Sequence, residues 1–500
     1  MSFNQIIKGT VYPKVPLKTL WEEDTSVDAK NNAVRKAPSY LPDSSQKTGA
    51  ALPFIKIGGQ IVTDIDTMTI DETNFIPTIA LTFIDNLGEF AGDRFPKTNL
   101  IMNVYLKTGN DKFKPIRCDF LITSVKSMPS TKKNERRAYN IGTTYTIKGE
   151  LYVPNIYTNL SKSYAKVTSK DALKKICDEL GLGFAENESA PNDAMTWINY
   201  NTSNIHFIKT VLEHSYQNDD TFFIGFIDKY YYLNYIEVNH QLKVEEAQKT
   251  FVNPSNSMMT EINQEAKDSA DFKKFQETTT VNYLTTELEY KGRANYITSL
   301  NLTSEHGDIV KRHGYKKNIY YYNHLKGGTK SPKEKFTDFY TTPLKSQDRD
   351  QNQFLVPTEA SLEANRIKKW MNIDYGNTHP DWNASRLINS QNIKELEKIK
   401  LKVTTDGINF QVVRGFTVPV YVSIQQAEKI LKAAEKGDVE KDKNEDDADT
   451  LAKQTPDKQL TGYYYVSGVK YHYDKLHQNG LYTELFLARR EWQLSKIIDK

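Results

Sequence analysis

Cysteine is almost missing: Cys118 and Cys177 are the only two in 500 residues. A disulfide framework and a cysteine-rich metal site are thereby excluded, and two free thiols fit a reducing cytoplasm. Long hydrophobic runs are missing too. The longest, Phe222–Ile227, is far short of the ~20 residues that a membrane helix needs. The opening MSFNQIIKGTVYPK has no apolar stretch of signal-peptide length. The expectation is a soluble chain made in the cytoplasm, with no stable membrane insertion. Excess charge of one sign is absent: 66 basic residues face 63 acidic ones, which argues against a broad basic nucleic-acid face. No GxxxxGK[ST], HExxH, GxSxG or CxxC occurs, so no phosphate loop, zinc helix, nucleophile elbow or redox pair is indicated.

Aromatics fill the gap. The apolar fraction is only 38%, but 30 Tyr and 22 Phe bring rings that bury their faces, with tyrosine keeping a polar handle. Such a chain is ordered and sheet-rich rather than disordered.

Residues 1–50 are rich in Pro, Ser, Asn and Lys and hold no period. They read as a disordered lead-in or as an extended arm laid on a neighbouring subunit, anchored by Trp21. From 51 to 155 short runs alternate apolar and polar residues, as in IPTIALTFID and LIMNVYLK, which indicates an antiparallel sandwich or barrel. From 156 to 245 the pattern changes. Leu173, Ile176, Cys177 and Leu180 share a helix face, with Ser169 as N-cap and Gly181 as stop. A second helix spans Asn204–Tyr216, and a hairpin turns at Asp228–Lys229. Strands return at 275–305 and 396–494, around an irregular Tyr-rich insertion at 306–395 with one helical stretch near Glu359–Met371, and a charged loop at 428–457. The expected class is mainly β with α+β insertions: two similar antiparallel β-barrels and a helix–helix–hairpin module.

The two β regions match each other. Phe120–Ser127 aligns in type with Tyr464–Tyr471, Asn103–Leu106 with Pro419–Val422, and the strand at Ala138–Ile147 with Leu481–Arg490. The second pair of strands lies further apart by about the length of the charged stretch Glu428–Thr455. A duplicated domain has a geometric consequence: three such chains present six similar domains around one axis. Polar residues alternating at 99–107 and 398–405 are the expected lining of a central channel.

The order of β-domain, helix–helix–hairpin module and interrupted second β-domain resembles the baseplate central hub proteins of contractile-tailed phages, whose core recurs in type VI secretion spike proteins. The resemblance is carried by Ser169–Ile176, Trp197, Asn204–Tyr216, Asn218–Phe226, Tyr231–Leu233, and the closing strands Gly462–Val469 and Tyr482–Arg490. It covers about 51–305 and 396–494; the arm, 306–395 and the acidic loop depart from it. It implies a non-enzymatic homotrimer in the virion tail baseplate, assembled in the host cytoplasm. Its partners would be tail tube or tube-initiator proteins, a central spike protein and other baseplate proteins. The alternatives are a cell-wall lytic tail enzyme and a carbohydrate-binding tail protein.

No catalytic, cofactor-binding or metal residue is assigned, and no cofactor is expected. His472, Asp474 and His477 form the most metal-like group, but they read first as an ordinary amphipathic strand with Tyr471 and Tyr473 on its other face. His206 and His214, about two helical turns apart, read as core or interface packing. Trp382, in Asn377–Trp382, could stack on a sugar but reads first as a turn or partner contact. Glu179, Glu287 and Glu289 are not paired by any spacing that marks a glycosidase. The acidic run Gly437–Asp449 and the basic run Lys132–Arg137 read as a solvated loop and a hairpin tip.

Overall fold

In a computed structural model, the residues described are 53–106, 116–134, 137–187, 189–218, 221–239, 297–304, 381–397, 399–405, 462–477 and 480–489, with shorter pieces at 11–12, 284–285, 317–319, 336–340, 366–370, 378–379 and 417–422 and single positions at 407, 412, 414, 415 and 460. In chain order the first strands are β1 (Val11–Tyr12), β2 (Phe54–Ile57), β3 (Gln60–Ile61), β4 (Ile65–Asp71), β5 (Thr78–Asp85), β6 (Ile101–Leu106), β7 (Ile116–Asn134) and β8 (Arg137–Leu151). The middle module holds β9 (Asn159–Val167), α1 (Ser169–Leu180), β10 (Gly183–Glu186), β11 (Met195–Ser203), α2 (Asn204–Glu213), β12 (Phe223–Ile227) and β13 (Tyr232–Glu237). Then come β14 (Leu284–Thr285), β15 (Ile297–Ser304), β16 (Lys317–Ile319), β17 (Phe336–Tyr340), β18 (Arg366–Trp370), α3 (Trp382–Leu396), β19 (Ile399–Thr405), β20 (Thr417–Tyr421), β21 (Gly462–Asp474) and β22 (Leu481–Arg489).

The period-2 pattern sets the main sheet. Met68 and Ile70 of β4, Ile79, Leu81 and Phe83 of β5, and Tyr145 and Ile147 of β8 all point into one core, and the residues between them face outward. β4, β5, β8, β7 and β6 pair in that order, all antiparallel. β15, β19, β22, β21 and β20 repeat the same order. The registers coincide pair for pair, and they match Ile147 to Leu485, not to Arg490 as the sequence alignment of Ala138–Ile147 with Leu481–Arg490 has it. Met102↔Phe120 corresponds to Val418↔Tyr464, Val125↔Ile147 to Val469↔Leu485, and Leu81↔Ile147 to Val403↔Leu485.

Two bulges coincide as well. β7 slips between Ile122 and Ser124 where β21 slips between Val466 and Gly468; β4 slips between Ile65 and Thr67 where β15 slips between Ile297 and Ser299. The bulged hydroxyls even find matching acceptors: Thr123 Oγ1 donates to the Lys148 carbonyl (3.2 Å), and Ser467 Oγ to the Phe486 carbonyl (3.0 Å). Shared period-2 patterning places no bulges, so the duplication is structural.

The mainly-β class with α+β insertions is as expected. The two sheets are not separate, however. Their strands run through one 13-stranded sheet, and among the described residues no pairing closes either half into a barrel by itself. Their buried side chains and those of the middle module form one continuous core.

In the middle module α1 buries Ala172, Leu173, Ile176, Cys177 and Leu180. Its N-cap is Thr168, one residue before the expected Ser169; Thr168 Oγ1 accepts from Asp171 N (3.2 Å), while Ser169 Oγ is spent on the Tyr235 hydroxyl (2.9 Å). Gly181 ends the helix at φ 69°, the left-handed conformation that glycine adopts without a Cβ penalty. β12 and β13 form the expected hairpin, and β10 adds to β13 in parallel. β9 and β11 pair beside them, with Trp197 of β11 opposite Tyr164 of β9.

The insertion departs from its reading. Arg366–Trp370 is a strand, not part of a helix over Glu359–Met371, and it pairs with β16 and β17 in a three-stranded sheet. Among the described residues the helix of this region is α3, which the polar composition of Trp382–Leu396 concealed. Val11–Tyr12 of the arm pair with β10 of the same chain. Trp21, the acidic run and the loop 428–457 lie outside the described residues. No described helix is long and apolar enough to cross a membrane.

Candidate functional site

The feature that the fold builds is a joint between its two halves. β21 pairs with β22 along one edge. On the other edge its first residues pair with β20, and its last residues leave their own sheet for β4 of the first one. The register runs from Lys470↔Asp71 through Tyr471↔Ile70, His472↔Thr69 and Tyr473↔Met68 to Asp474↔Thr67. Backbone bonds bracket it: Glu72 N donates to Val469 O (2.9 Å) and Lys475 N to Asp66 O (2.9 Å). By alternation, Tyr471 and Tyr473 turn their backbone groups toward β4.

The middle module pins this joint from the core side. Lys229, at the tip of the β12–β13 hairpin, is fully buried. Its Nζ donates to Glu72 Oε2 (3.1 Å) and to the Tyr471 hydroxyl (2.9 Å), and its backbone N donates to Glu72 Oε1 (3.0 Å). Glu72 follows β4 and Tyr471 sits on β21, so one ammonium holds both sheets. Burial pulls the Lys229 ammonium down, but Glu72, Tyr230 and Asp228 together outweigh burial and hold it above the usual lysine value. Burial pushes the neighbouring Asp228 up. Asp228 shapes the turn by accepting from Tyr230 N (2.8 Å) and Tyr232 N (3.0 Å), with Tyr231 at φ 63°. The Tyr231 hydroxyl reaches back to Asp119 N of β7 (2.9 Å), and Cys118 Sγ to the Lys229 carbonyl (3.1 Å). A charged turn between apolar strands looks like an exposed tip in sequence; only the tertiary fold buries it. Lys229 and Glu72 were therefore missed, and the flanking tyrosines were the one local sign.

The opposite face of the joint is polar. Lys470 pairs with Asp71 (2.9 Å) and Lys402 with Glu484 (2.8 Å), while His472 lies 3.4 Å from Glu484 and bonds Thr69 Oγ1 through Nδ1 (2.9 Å). Burial raises Asp71, yet the Thr73 hydroxyl and Lys470 hold it below the usual carboxylate value. Burial likewise raises Glu484, but Lys402 and His472 hold it low. This polar face runs along β19 through Lys400, Lys402 and Thr404, which alternate with the buried Ile399, Leu401 and Val403. The expectation of a polar lining fails for 99–107. β6 is covered on both faces, and its Asn103 is buried with its amide donating to Asp119 (2.7 Å).

The other singled-out residues have structural partners. His472 stacks on Tyr482 (ring centroids 4.7 Å), His477 packs on the same ring (4.8 Å), and Asp474 accepts from Leu476 N (2.9 Å). Among the described residues no group of three His, Cys, Asp or Glu could hold a metal. His214 is buried and stacks flat on Trp382 at 3.6 Å, its Nδ1 bonded to the Trp382 carbonyl (2.7 Å). Burial depresses its pKa to about 4. One face of Trp382 is thus occupied. His206 is exposed and does not share that packing. Glu179 pairs with Lys162 (2.5 Å); Glu287 and Glu289 lie outside the described residues.

The fold and joint define a duplicated antiparallel β-sheet protein carrying an α+β module. No protein-family model matches the chain, and no curated protein matches it. Solved structures do resemble it. The 43 kDa tail protein of prophage MuSo2 from Shewanella oneidensis is 9% identical over 88% of this chain and 96% of its own, with a TM-score of 0.44. A tail protein from Neisseria meningitidis MC58 is 10% identical, covering 87% and 95%, with a TM-score of 0.39. A type VI secretion component of E. coli, described as structurally similar to T4 bacteriophage tail proteins, is 11% identical, covering 87% and 76%, with a TM-score of 0.40.

Proposed function

We propose that the chain is a structural baseplate central hub of a contractile phage tail: a homotrimer whose six similar β-units adapt a three-fold spike to a six-fold tail tube. The observation that carries this reading is the duplicated five-stranded sheet, identical in order, register and bulges, with its copies joined edge to edge inside one chain. The family resemblance of the sequence points the same way. In this reading 51–155 is the first unit, 156–245 the module that widens the base, 275–305 with 396–494 the second unit, and 1–50, 306–395 and 428–457 are attachments to other parts of the virion.

The work is mechanical rather than catalytic. One β-unit per chain would give a trimer three docking sites, whereas two give the six that a six-fold ring requires. Simultaneous binding at six weak sites gains through effective concentration, so an isolated 51–155 fragment would bind tube poorly where the whole chain binds well. Partners are tail tube or tube-initiator proteins, a central spike protein and other baseplate proteins, with assembly in the host cytoplasm and residence in the virion tail. Mass photometry across a concentration series, with and without tube and spike proteins, tests the reading. A species of three chains is expected. A chain that stays monomeric or dimeric under every condition overturns it, and hydrolysis of purified peptidoglycan would then favour a lytic enzyme.

A further inference from the structure

The in-chain joint uses one edge from each sheet. Among the described residues, the equivalent edges on the other side of each sheet have no strand beside them. Matching register to register, Lys470–Asp474 of β21 correspond to Lys126–Ser130 of β7, and Thr67–Asp71 of β4 correspond to Ser299–Thr303 of β15. β21 uses its residues to bind β4, but among the described residues β7 pairs over 126–130 only with β8, and β15 only with β19.

Burial follows this difference. Val469, Tyr471 and Tyr473 are buried at the made joint, whereas Lys126, Ser127, Met128 and Pro129 are exposed, as are most residues of 298–304. Two apolar side chains stand among them in solvent, Met128 at 55% and Leu302 at 37% exposure. Leu302 corresponds to Ile70, which is fully buried at the made joint. A long unpaired strand edge is a template for another chain, and here the template already has a partner of known shape.

We infer that β7 of one copy pairs antiparallel with β15 of a second copy in the register of the in-chain joint: Lys126↔Thr303, Ser127↔Leu302, Met128↔Asn301 and Pro129↔Leu300. The contact is heterologous, so each copy offers one edge and receives at the other, and repetition generates a ring wherever the rotation closes. This rests on the trimeric hub reading and assigns its subunit contact to two named edges. The contact is weaker than its in-chain counterpart. Pro129 stands where Tyr473 turns its backbone toward β4, and proline has no N–H to donate. Thr303 stands where Asp71 receives Lys470, so the ion pair has no equivalent. Chains would therefore meet late and reversibly, and the contact would respond little to salt.

Disulfide trapping on the full chain tests this. Met128 and Asn301 correspond to His472 and Thr69, whose side chains touch at the made joint. Directly opposed strand residues lie within disulfide reach. In one chain β7 and β15 are separated by six intervening strands of the sheet, so a bond between 128 and 301 must join two copies. Cys118 and Cys177 are buried and do not compete. Under mild oxidation Met128→Cys/Asn301→Cys is expected to triple its mass on a non-reducing gel and to revert with reductant. The slipped pair Met128→Cys/Thr303→Cys is expected to stay at background.

Trapping of the slipped pair, of neither pair, or of Met128→Cys alone as a symmetric dimer overturns the assignment. Mass photometry of the unmodified chain separates the two readings. Trimers without 128–301 trapping leave the hub and remove this contact. Trapping into an open ladder of dimers, trimers and longer chains keeps the contact and removes the closed ring.

Discussion

The first and second five-stranded sheets have the same strand order, the same pair register and the same two bulges, but different neighbours. In the second, the strand β21 runs into β4, and Val469, Tyr471 and Tyr473 are buried. In the first, the equivalent Val125 is half-buried and Ser127 and Pro129 are exposed. Their backbones correspond, so the difference in composition tracks what lies beside each edge. Tyr471 and Tyr473 stand where a neighbour is supplied by the chain itself, and Ser127 and Pro129 stand at the equivalent positions, where no described strand lies alongside; Lys470 and Lys126 occupy the same position in both. Lys and Pro on an edge limit indiscriminate pairing, which leaves the open edge selective rather than inert.

Four perturbations sharpen or break this comparison. The largest effect is expected at Lys229, which only the made joint uses. Lys229→Met strands the buried Glu72 carboxylate and should cost about 3–5 kcal/mol in denaturant unfolding, with recovery when Glu72→Gln is added. Because the Lys229 pKa is raised on folding, the contribution is complete below the usual lysine value and lost as pH rises through the folded one. An unchanged unfolding midpoint would remove Lys229 as the pin.

Acidification should act on the middle module through His214. The depressed pKa of His214, about 4 against a normal 6.5, means that its contribution is present above pH 6.5 and lost as pH falls toward 4. The loss is on the order of 3 kcal/mol, and His214→Phe should flatten it in a pH series of melting temperatures. A cation does not help here, because Arg386 and His379 already disfavour the charged ring.

A smaller effect separates the two bulges. A Cβ at Gly468 would meet Thr73 Cγ2 at 2.6 Å and Thr73 Cα at 3.3 Å, because the joint brings the first sheet against it. Its counterpart Ser124 is exposed. Gly468→Ala should therefore cost about 1–3 kcal/mol by overpacking, while Ser124→Ala stays within about 0.5 kcal/mol. Equal costs would mean that the joint does not constrain the bulge. Smallest of all, Ser467→Ala removes a half-buried hydroxyl bond and should cost about 1 kcal/mol, more than Thr123→Val at the exposed equivalent.

The fold was readable in sequence where side-chain period decides structure. Ile79, Leu81 and Phe83 alternate as a half-buried strand must, and Leu173, Ile176 and Leu180 recur as a helix face must. The duplication was readable because Phe120–Ser127 and Tyr464–Tyr471 keep the same types at the same positions. Its consequence was not. Whether two similar sheets close separately or share strands depends on where β21 goes after its bulge, and nothing local to Lys470–Asp474 shows that. The pin was hidden for the same reason, since Lys229 owes its burial to Glu72 and Tyr471, far away in sequence. α3 was missed because Asn389 and Asn392, polar in sequence, are buried: Asn389 caps the end of α2 by donating to the Glu213 and Ser215 carbonyls (2.9 and 3.0 Å).

The central claim is that the joint inside the chain and the contact between chains are one geometry used twice. Electron cryo-microscopy of the assembled protein tests it most directly. The account predicts three chains around one axis, with six five-stranded sheets superposing around the ring and β7 at 126–130 paired to β15 at 299–303 as β21 is paired to β4. A two-fold dimer, or a trimer held by other surfaces with those edges in solvent, would contradict it.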